Sequence, residues 1–229
     1  GKNPIGGVGL PLPGNFIKLA KDGEILVRGQ SVMPGYYHLP EQTAEVMPDG
    51  KWFHTGDLGS IDRKGQLTIT GRKKELIVTA GGKNVSPEVL EDSLATHPLV
   101  ANVIVVGDQR PYVGALFTLD ADMLPDWLAQ HGLPQCSPTE AAELPAVRES
   151  LEKAVERANK AVSRAESIRK FRIIDATFTV ENGYVTPSMK LRRRKVITDY
   201  AHEIDALYGG PVSAEAPKKR GLFGRGKKN

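Results

Sequence analysis

Chemistry in this 229-residue chain is concentrated in a few polar residues set at strand ends and turns. In the stretch KWFHTGDLGSIDRKGQLTITGRKKELIVTAGGKNVSPEVLE, residues 51–91, Thr55-Gly56-Asp57 places a carboxylate on a tight turn. Gly71-Arg72 places a guanidinium straight after the short strand Leu67-Thr68-Ile69-Thr70. A carboxylate accepts two hydrogen bonds in a geometry that suits adjacent hydroxyls. Asp57 and Arg72 together could therefore clamp one polyhydroxyl ligand, although Asp57 alone reads as a turn cap and Arg72 alone as a surface cation. Lys73 and Lys74 are, by themselves, a solvated pair on a strand edge. Gly81-Gly82 with Lys83 invites a phosphate-loop reading, but two adjacent glycines after a strand are by default a plain turn or bulge. Lys190, inside TPSMKLRRR, stands in an exposed loop ahead of a basic helix and taken alone is one more solvated lysine.

Other chemistries find no support in the residue pattern. The five histidines, His38, His54, His97, His131 and His202, show no metal-ligand spacing, so no protein-built metal site is indicated. His54 lies near Asp57, yet no nucleophile accompanies them. A single cysteine, Cys136, rules out an internal disulfide.

The elements that must position these residues fall into two patterns. Up to Arg72 the chain is β-prone runs cut by turns. Phe16–Leu19 and Glu24–Arg28 flank a Lys-Asp-Gly turn and read as a hairpin, residues 29–37 as loop, 40–45 as a turn or two of helix, and Trp52-Phe53 as the start of another strand. After Arg72 strand and helix alternate. Leu76–Val78 is strand-like, and Ser86-Pro87-Glu88 starts a helix with Ser86 as N-cap. Residues 103–106 and 115–119 are strands joined by GDQRPYVG, and residues 122–131 a short helix. The strongest helical pattern spans 144–166, where Val147, Leu151, Ala154, Val155, Ala158, Ala161 and Val162 form a core-packing stripe. Strands at 171–174 and 178–180, a turn at Glu181-Asn182-Gly183, a polar loop at 184–190 and one last helix through Leu207 complete the pattern. The composite is α+β, with a second unit of about 135 residues, an ordinary domain size.

Charge is unevenly placed. The 31 basic and 27 acidic residues give +4, but residues 218–229, KKRGLFGRGKKN, hold six bases and no acid. Without them 25 bases face 27 acids, a net −2, so the body offers no broad cationic field for nucleic acid. From Gly209 onward Pro, Gly, Ala and Lys dominate, and the sequence predicts disorder there. No apolar run approaches the length of a membrane span, and the chain reads as soluble and cut from something longer.

TGDLG, GRKKELIV and GGKNVSPEVLED occur in this order, preceded by GEILVRGQSVMPGYY and followed by TPSMKLRRR. Together they resemble the adenylate-forming family, and within it the bacterial long-chain acyl-CoA synthetases, over residues 1–208. The resemblance implies three parts: residues 1–72 as the β-rich end of a large AMP-binding domain, 73–208 as a mobile α+β lid, and 209–229 as a basic tail. It implies that Asp57 holds the ATP ribose with Arg72 assisting, and that Lys74 is the hinge. Gly81, Gly82 and Lys83 would line the passage for the thiol arm of CoA, with Lys83 and Arg192 to Arg194 meeting CoA phosphates. Lys190 would enter the active site to stabilise charge on the carboxylate and α-phosphate as acyl-AMP forms. The substrates implied are a fatty acid, ATP and CoA, with Mg2+ arriving on the ATP, in a cytoplasmic enzyme of lipid metabolism.

The chain departs from the family pattern in two ways. No Ser/Thr/Gly-rich phosphate loop is present, so it is expected to be inactive alone, and Met189 stands where the family commonly has glycine. Near alternatives are acyl-AMP ligases and peptide-synthetase adenylation domains. The alternative from another class is a binding module whose tail recognises nucleic acid or an anionic membrane. Leu222 and Phe223 among the basic residues favour the membrane version.

Overall fold

The computed structural model describes residues 7–210, so the expected disorder from Gly209 onward lies almost wholly outside the described residues. Gly/Pro/Asp turns divide the first part into short strands: β1 (Gly7–Gly9), β2 (Asn15–Leu19) and β3 (Glu24–Gly29). Helix α1 (Pro40–Val46) follows, opened by a proline that already has the helical φ. Strands β4 (Phe53–Ile61) and β5 (Leu67–Arg72) complete an antiparallel sheet in the order β1-β5-β4-β3-β2. The hairpin expected at residues 16–28 is present, with Phe16 opposite Arg28.

A turn of 3-10 helix at Lys73–Glu75 leads out of the sheet into a small hairpin, β6 (Ile77–Val78) and β7 (Asn84–Val85), and then into α2 (Pro87–Leu94). Ser86 occupies the N-cap position as expected. Its hydroxyl, however, donates to the Thr70 carbonyl at 2.6 Å instead of capping its own helix. Strands β8 (Val100–Val106) and β9 (Val113–Leu119) pair antiparallel. Helices α3 (Leu124–Gln130), α4 (Pro138–Ala141) and α5 (Pro145–Asn159) then carry the chain to β10 (Ile168–Ile173), parallel to β9. Every residue of β9 is buried, as befits a central strand covered on both faces. Alternation divides the packing: Val103, Val105, Val113, Ala115 and Phe117 face a core built with α2 and α5. Ile104, Val106 and Leu116 face a second one closed by α6 (Arg193–Asp199) and α7 (Ala201–Leu207).

Three sequence expectations are corrected, and one helix is added. Helix α5 ends at Asn159, not 166, because the Asn159 amide binds the Ile168 N–H (2.8 Å) and carbonyl (3.0 Å) and draws the chain toward β10. Ala161 and Val162 therefore lie beyond the helical stripe. Residues 178–180 are no strand, since Asn182 takes the Thr179 N–H (2.9 Å) and the Thr177 carbonyl (2.7 Å) that a ladder would need. Helix α4 escaped the pattern reading, although its Ser137–Glu140 capping box is written in the sequence. The last helix is two, α6 and α7, broken at Tyr200, whose ring packs edge-on to Phe178 at 5.6 Å.

Candidate functional site

Asp57 lies inside β4, not on a turn. Between the pairs Leu26↔His54 and Glu24↔Leu58, β4 carries two more residues than β3, and Gly56 at φ 74° accommodates the bulge. The bulge is fixed by side chains. The Thr55 hydroxyl donates to the Ile25 carbonyl (2.8 Å) and accepts the Asp57 N–H (3.1 Å). Glu24 accepts the Gly56 N–H at 3.0 Å. Register then sets Asp57 opposite Arg72, with Arg72 Nε 3.3 Å from Asp57 Oδ1. The two expected ligand-clamping residues are thus brought together, on the wall of a cavity of about 500 Å3 also lined by Glu24, His54, Tyr36 and Lys74. Asp57 is partly exposed and retains acceptor capacity toward a pair of hydroxyls.

Glu24 is the residue that pattern reading missed. It is only 4% exposed and meets His54 Nδ1 and Lys73 Nζ, each at 3.0 Å. Burial alone would raise its carboxyl, but His54, Lys73 and the Gly56 amide outweigh this and hold it below the ordinary glutamate range. Its one sequence signal is a charge opening an apolar run, EILV. Lys73, 2.7 Å from Asp22 as well, is raised above the ordinary lysine range first by Asp22 and then by Glu24. Lys73 and Lys74 are therefore not equivalent. Lys73 is pinned to the sheet, whereas Lys74 is exposed and makes no ion pair among the described residues. Lys74 lines both the Asp57 cavity and a second one of about 750 Å3 bordered by Arg192 and Arg194.

The remaining expected residues lie outside the Asp57 cavity. Gly81 and Gly82 form the tip of the β6–β7 hairpin, where the Gly82 N–H closes on the Thr79 carbonyl at 2.8 Å. Gly82 needs its glycine for φ 75°. Gly81 has no such need: a Cβ there would meet only Thr79 Oγ1, at 3.9 Å. Lys83 is 3.4 Å from Glu166. Of the arginines at 192–194, Arg193 is turned inward onto Glu91 and the Val105 carbonyl, leaving Arg192 and Arg194 exposed. Lys190 is exposed at the end of a loop closed by Thr186 N–H to the Lys190 carbonyl (2.8 Å) and Lys190 N–H to Thr186 Oγ1 (3.0 Å). Met189 takes φ 61°, a conformation that favours glycine. No three His, Cys, Asp or Glu side chains among the described residues converge in a way that could hold a metal. No described helix is long and apolar enough to cross a membrane.

A family model, the AMP-binding enzyme C-terminal domain, matches residues 74–211. The chain belongs to this family. Among curated proteins it is 50% identical over 205 residues to the long-chain-fatty-acid–CoA ligase FadD15 of Mycobacterium tuberculosis, covering 89% of this chain and 34% of that protein. It is 43% identical to the putative fatty-acid–CoA ligase fadD11 of the same organism, over 91% of this chain and 36% of the relative. The chain thus spans about a third of the length of the relatives it matches. Among solved structures it is similar to the A domain of carboxylic acid reductase from Segniliparus rugosus in complex with AMP and a co-purified carboxylic acid. That likeness has a TM-score of 0.65 at 27% identity, over 87% of this chain and 32% of that one. O-succinylbenzoate coenzyme A synthetase from Bacillus subtilis, in complex with ATP and magnesium, is similar at a TM-score of 0.58 and 26% identity, over 83% and 35%.

Proposed function

We propose that the chain is the C-terminal portion of an ATP-dependent long-chain fatty-acid–CoA ligase, in which residues 1–72 end a large nucleotide-binding domain and 73–208 form a lid. In the first step a fatty-acid carboxylate attacks the α-phosphorus of ATP, and pyrophosphate leaves. In the second the CoA thiol attacks the acyl carbonyl, and AMP leaves. The observation that carries this reading is the placement of Asp57, Arg72 and Lys74 on one cavity wall while Lys190 and Gly81 lie away from it. A ribose held by Asp57 and Arg72 then stays with the sheet. The lid turns about Lys74, the first residue after the pinned Lys73, and presents different residues in the two steps. Lys190 brings a mobile cation to the charge that develops at the α-phosphate. At about 4 Å in a partly dry site such an attraction is on the order of 4 kcal/mol. Gly81, unconstrained by fold, leaves room for the thiol arm of CoA, with Lys83, Arg192 and Arg194 within the same lid for its phosphates.

The test separates half-reactions in the complete polypeptide. Fatty-acid-dependent ATP–pyrophosphate exchange is expected there and not with this 229-residue chain alone. Its absence from the complete polypeptide overturns the reading. Lys74→Pro, which fixes φ and removes an amide donor, and Gly81→Val are each expected to spare acyl-AMP formation and to cut thioester formation. Equal loss of both steps in Lys74→Pro would count against the hinge. Contact of the basic tail with anionic lipid is a separate proposal, read from liposome co-sedimentation with and without residues 209–229 at low and high salt.

A further inference from the structure

A set of contacts remote from Asp57 bears on Gly81. Each strand of the β6–β7 hairpin is two residues long, and a hairpin that short does not hold its own geometry in water. Ile77 and Val85 bury its base in the larger core, but residues 80–83 of the tip are exposed. The loop between β8 and β9, residues 107–112, grips the hairpin from the side. The Ala80 N–H donates to the Arg110 carbonyl at 2.9 Å, and the Gln109 N–H to the Val78 carbonyl at 2.8 Å. The Val78 N–H donates to the Asp108 carboxylate at 3.1 Å. The same loop is tied on its far side to the end of α7. Arg110 pairs with Asp205 and lies 5.0 Å over the Tyr208 ring. The Tyr112 hydroxyl donates to the Leu207 carbonyl at 2.6 Å, and the Tyr208 hydroxyl to the Tyr112 carbonyl at 3.2 Å. Burial, opposed by Arg110, pushes the Tyr208 phenol up to about 12, so it remains a donor at neutral pH.

We propose that the 107–112 loop and the last turn of α7 form a latch that positions the Gly81 tip for the thiol step, with Arg110 and Tyr112 as positioning residues. The inference rests on the reading of Gly81 as the wall of the CoA passage. Two hydrogen bonds, Tyr112 hydroxyl to Leu207 carbonyl and Ala80 N–H to Arg110 carbonyl, are joined by the short stretch of chain from Arg110 to Tyr112, and so tie the end of α7 to Ala80, the residue before Gly81. Both side chains are only partly buried, and a partly exposed ion pair contributes little to global stability. Their loss is therefore expected to loosen the tip without unfolding the lid.

The test pairs amide hydrogen exchange on this chain with half-reaction kinetics in the complete polypeptide, using the double variant Arg110→Gln, Tyr112→Phe. Exchange at Ala80 and Gln109 is expected to quicken about tenfold while β9 amides stay protected. The KM for CoA is expected to rise about tenfold, with kcat and acyl-AMP formation unchanged. Arg110→Asp combined with Asp205→Arg restores the pair, and with it a normal KM. Unchanged exchange at Ala80 overturns the latch. So does an unchanged KM for CoA in an enzyme whose thioester step is lost on Gly81→Val. If Gly81→Val leaves thioester formation intact, the reading of the passage itself fails, and the latch falls with it.

Discussion

The end of the five-stranded sheet and the loop carrying Lys190 treat charge in opposite ways. At the sheet end Glu24 is buried against His54 and Lys73, and Asp57 faces Arg72. At the loop, backbone and Thr186 bonds define the chain, and the Lys190 ammonium forms no ion pair among the described residues. Under the proposed function, the difference separates holding from acting. Groups that hold a ligand through both steps belong on a scaffold whose charges are already satisfied, so the site keeps its shape when empty. A cation needed in one step serves best with no partner to give up.

Removing each kind of charge tests that contrast. The largest effect is expected from Lys190→Ala in the complete polypeptide: a loss of roughly a hundredfold or more in acyl-AMP formation. Its melting temperature and thioester formation from supplied acyl-AMP are expected to hold, as rapid-quench assays and a melting curve would read. Parallel loss of both half-reactions with the fold intact would remove the distinction drawn above.

Glu24→Gln has the converse signature, costing about 2 kcal/mol of folding stability, the scale of hydrogen bonds to a buried charge. Because the folded carboxyl is held below its ordinary value of 4.5, this stability is complete above that pH and is lost as pH falls through the folded value. Denaturant melts of both proteins are expected to converge on acidification. A constant gap down to pH 3 would show that the charge is not what holds the bulge.

A smaller effect of the same kind is expected within residues 73–208. The His97 ring is buried, accepts the Leu99 N–H at 3.2 Å through Nδ1, and meets Ser150 Oγ at 3.0 Å through Nε2. Burial, then Arg157, lowers its pKa below 6.5. The unfolded chain thus takes up the proton first, and stability present above pH 6.5 declines as pH falls. His97→Gln is expected to flatten that decline in stability between pH 7 and 5, and an unaltered slope would assign it to other groups. The smallest effect is expected from Met189→Gly, which relieves a left-handed φ and adds unfolded-state freedom. The two oppose each other to within about 1 kcal/mol, roughly 2–4 °C in Tm. A larger loss would mean that the Met189 side chain, 78% exposed, has packing not apparent in this fold.

Much of this contrast is legible in the residues. Asp57, Arg72 and Lys190 stand in local motifs, but that Asp57 faces Arg72 from within a strand follows from the bulge at Gly56, which alternation does not show. Glu24 was not legible, because its partners lie 30 and 49 residues away and only strand register brings them to it. The end of α5 and the missing strand at 178–180 were hidden for a related reason. In each, one asparagine amide satisfies backbone groups that propensity would assign to a helix or a ladder. The inward turn of Arg193 was equally hidden, since a run of three arginines looks uniform until Glu91 and Val105 select one.

Ser86 gives the sheet and the proposed lid a bond that can change hands. Its hydroxyl donates to the Thr70 carbonyl, across a gap that a side chain at Gly71 would fill, and in that position accepts no N–H from the first turn of α2. If α2 withdraws from β5 as the lid turns, the Thr70 carbonyl passes to water and the freed hydroxyl can accept an N–H from its own helix, a contact worth about 1 kcal/mol. On the proposed rotation the oxygen would be bonded at both ends of the journey. Departure then trades one hydrogen bond for another, so the two orientations can lie close in free energy and bound ligands can decide between them.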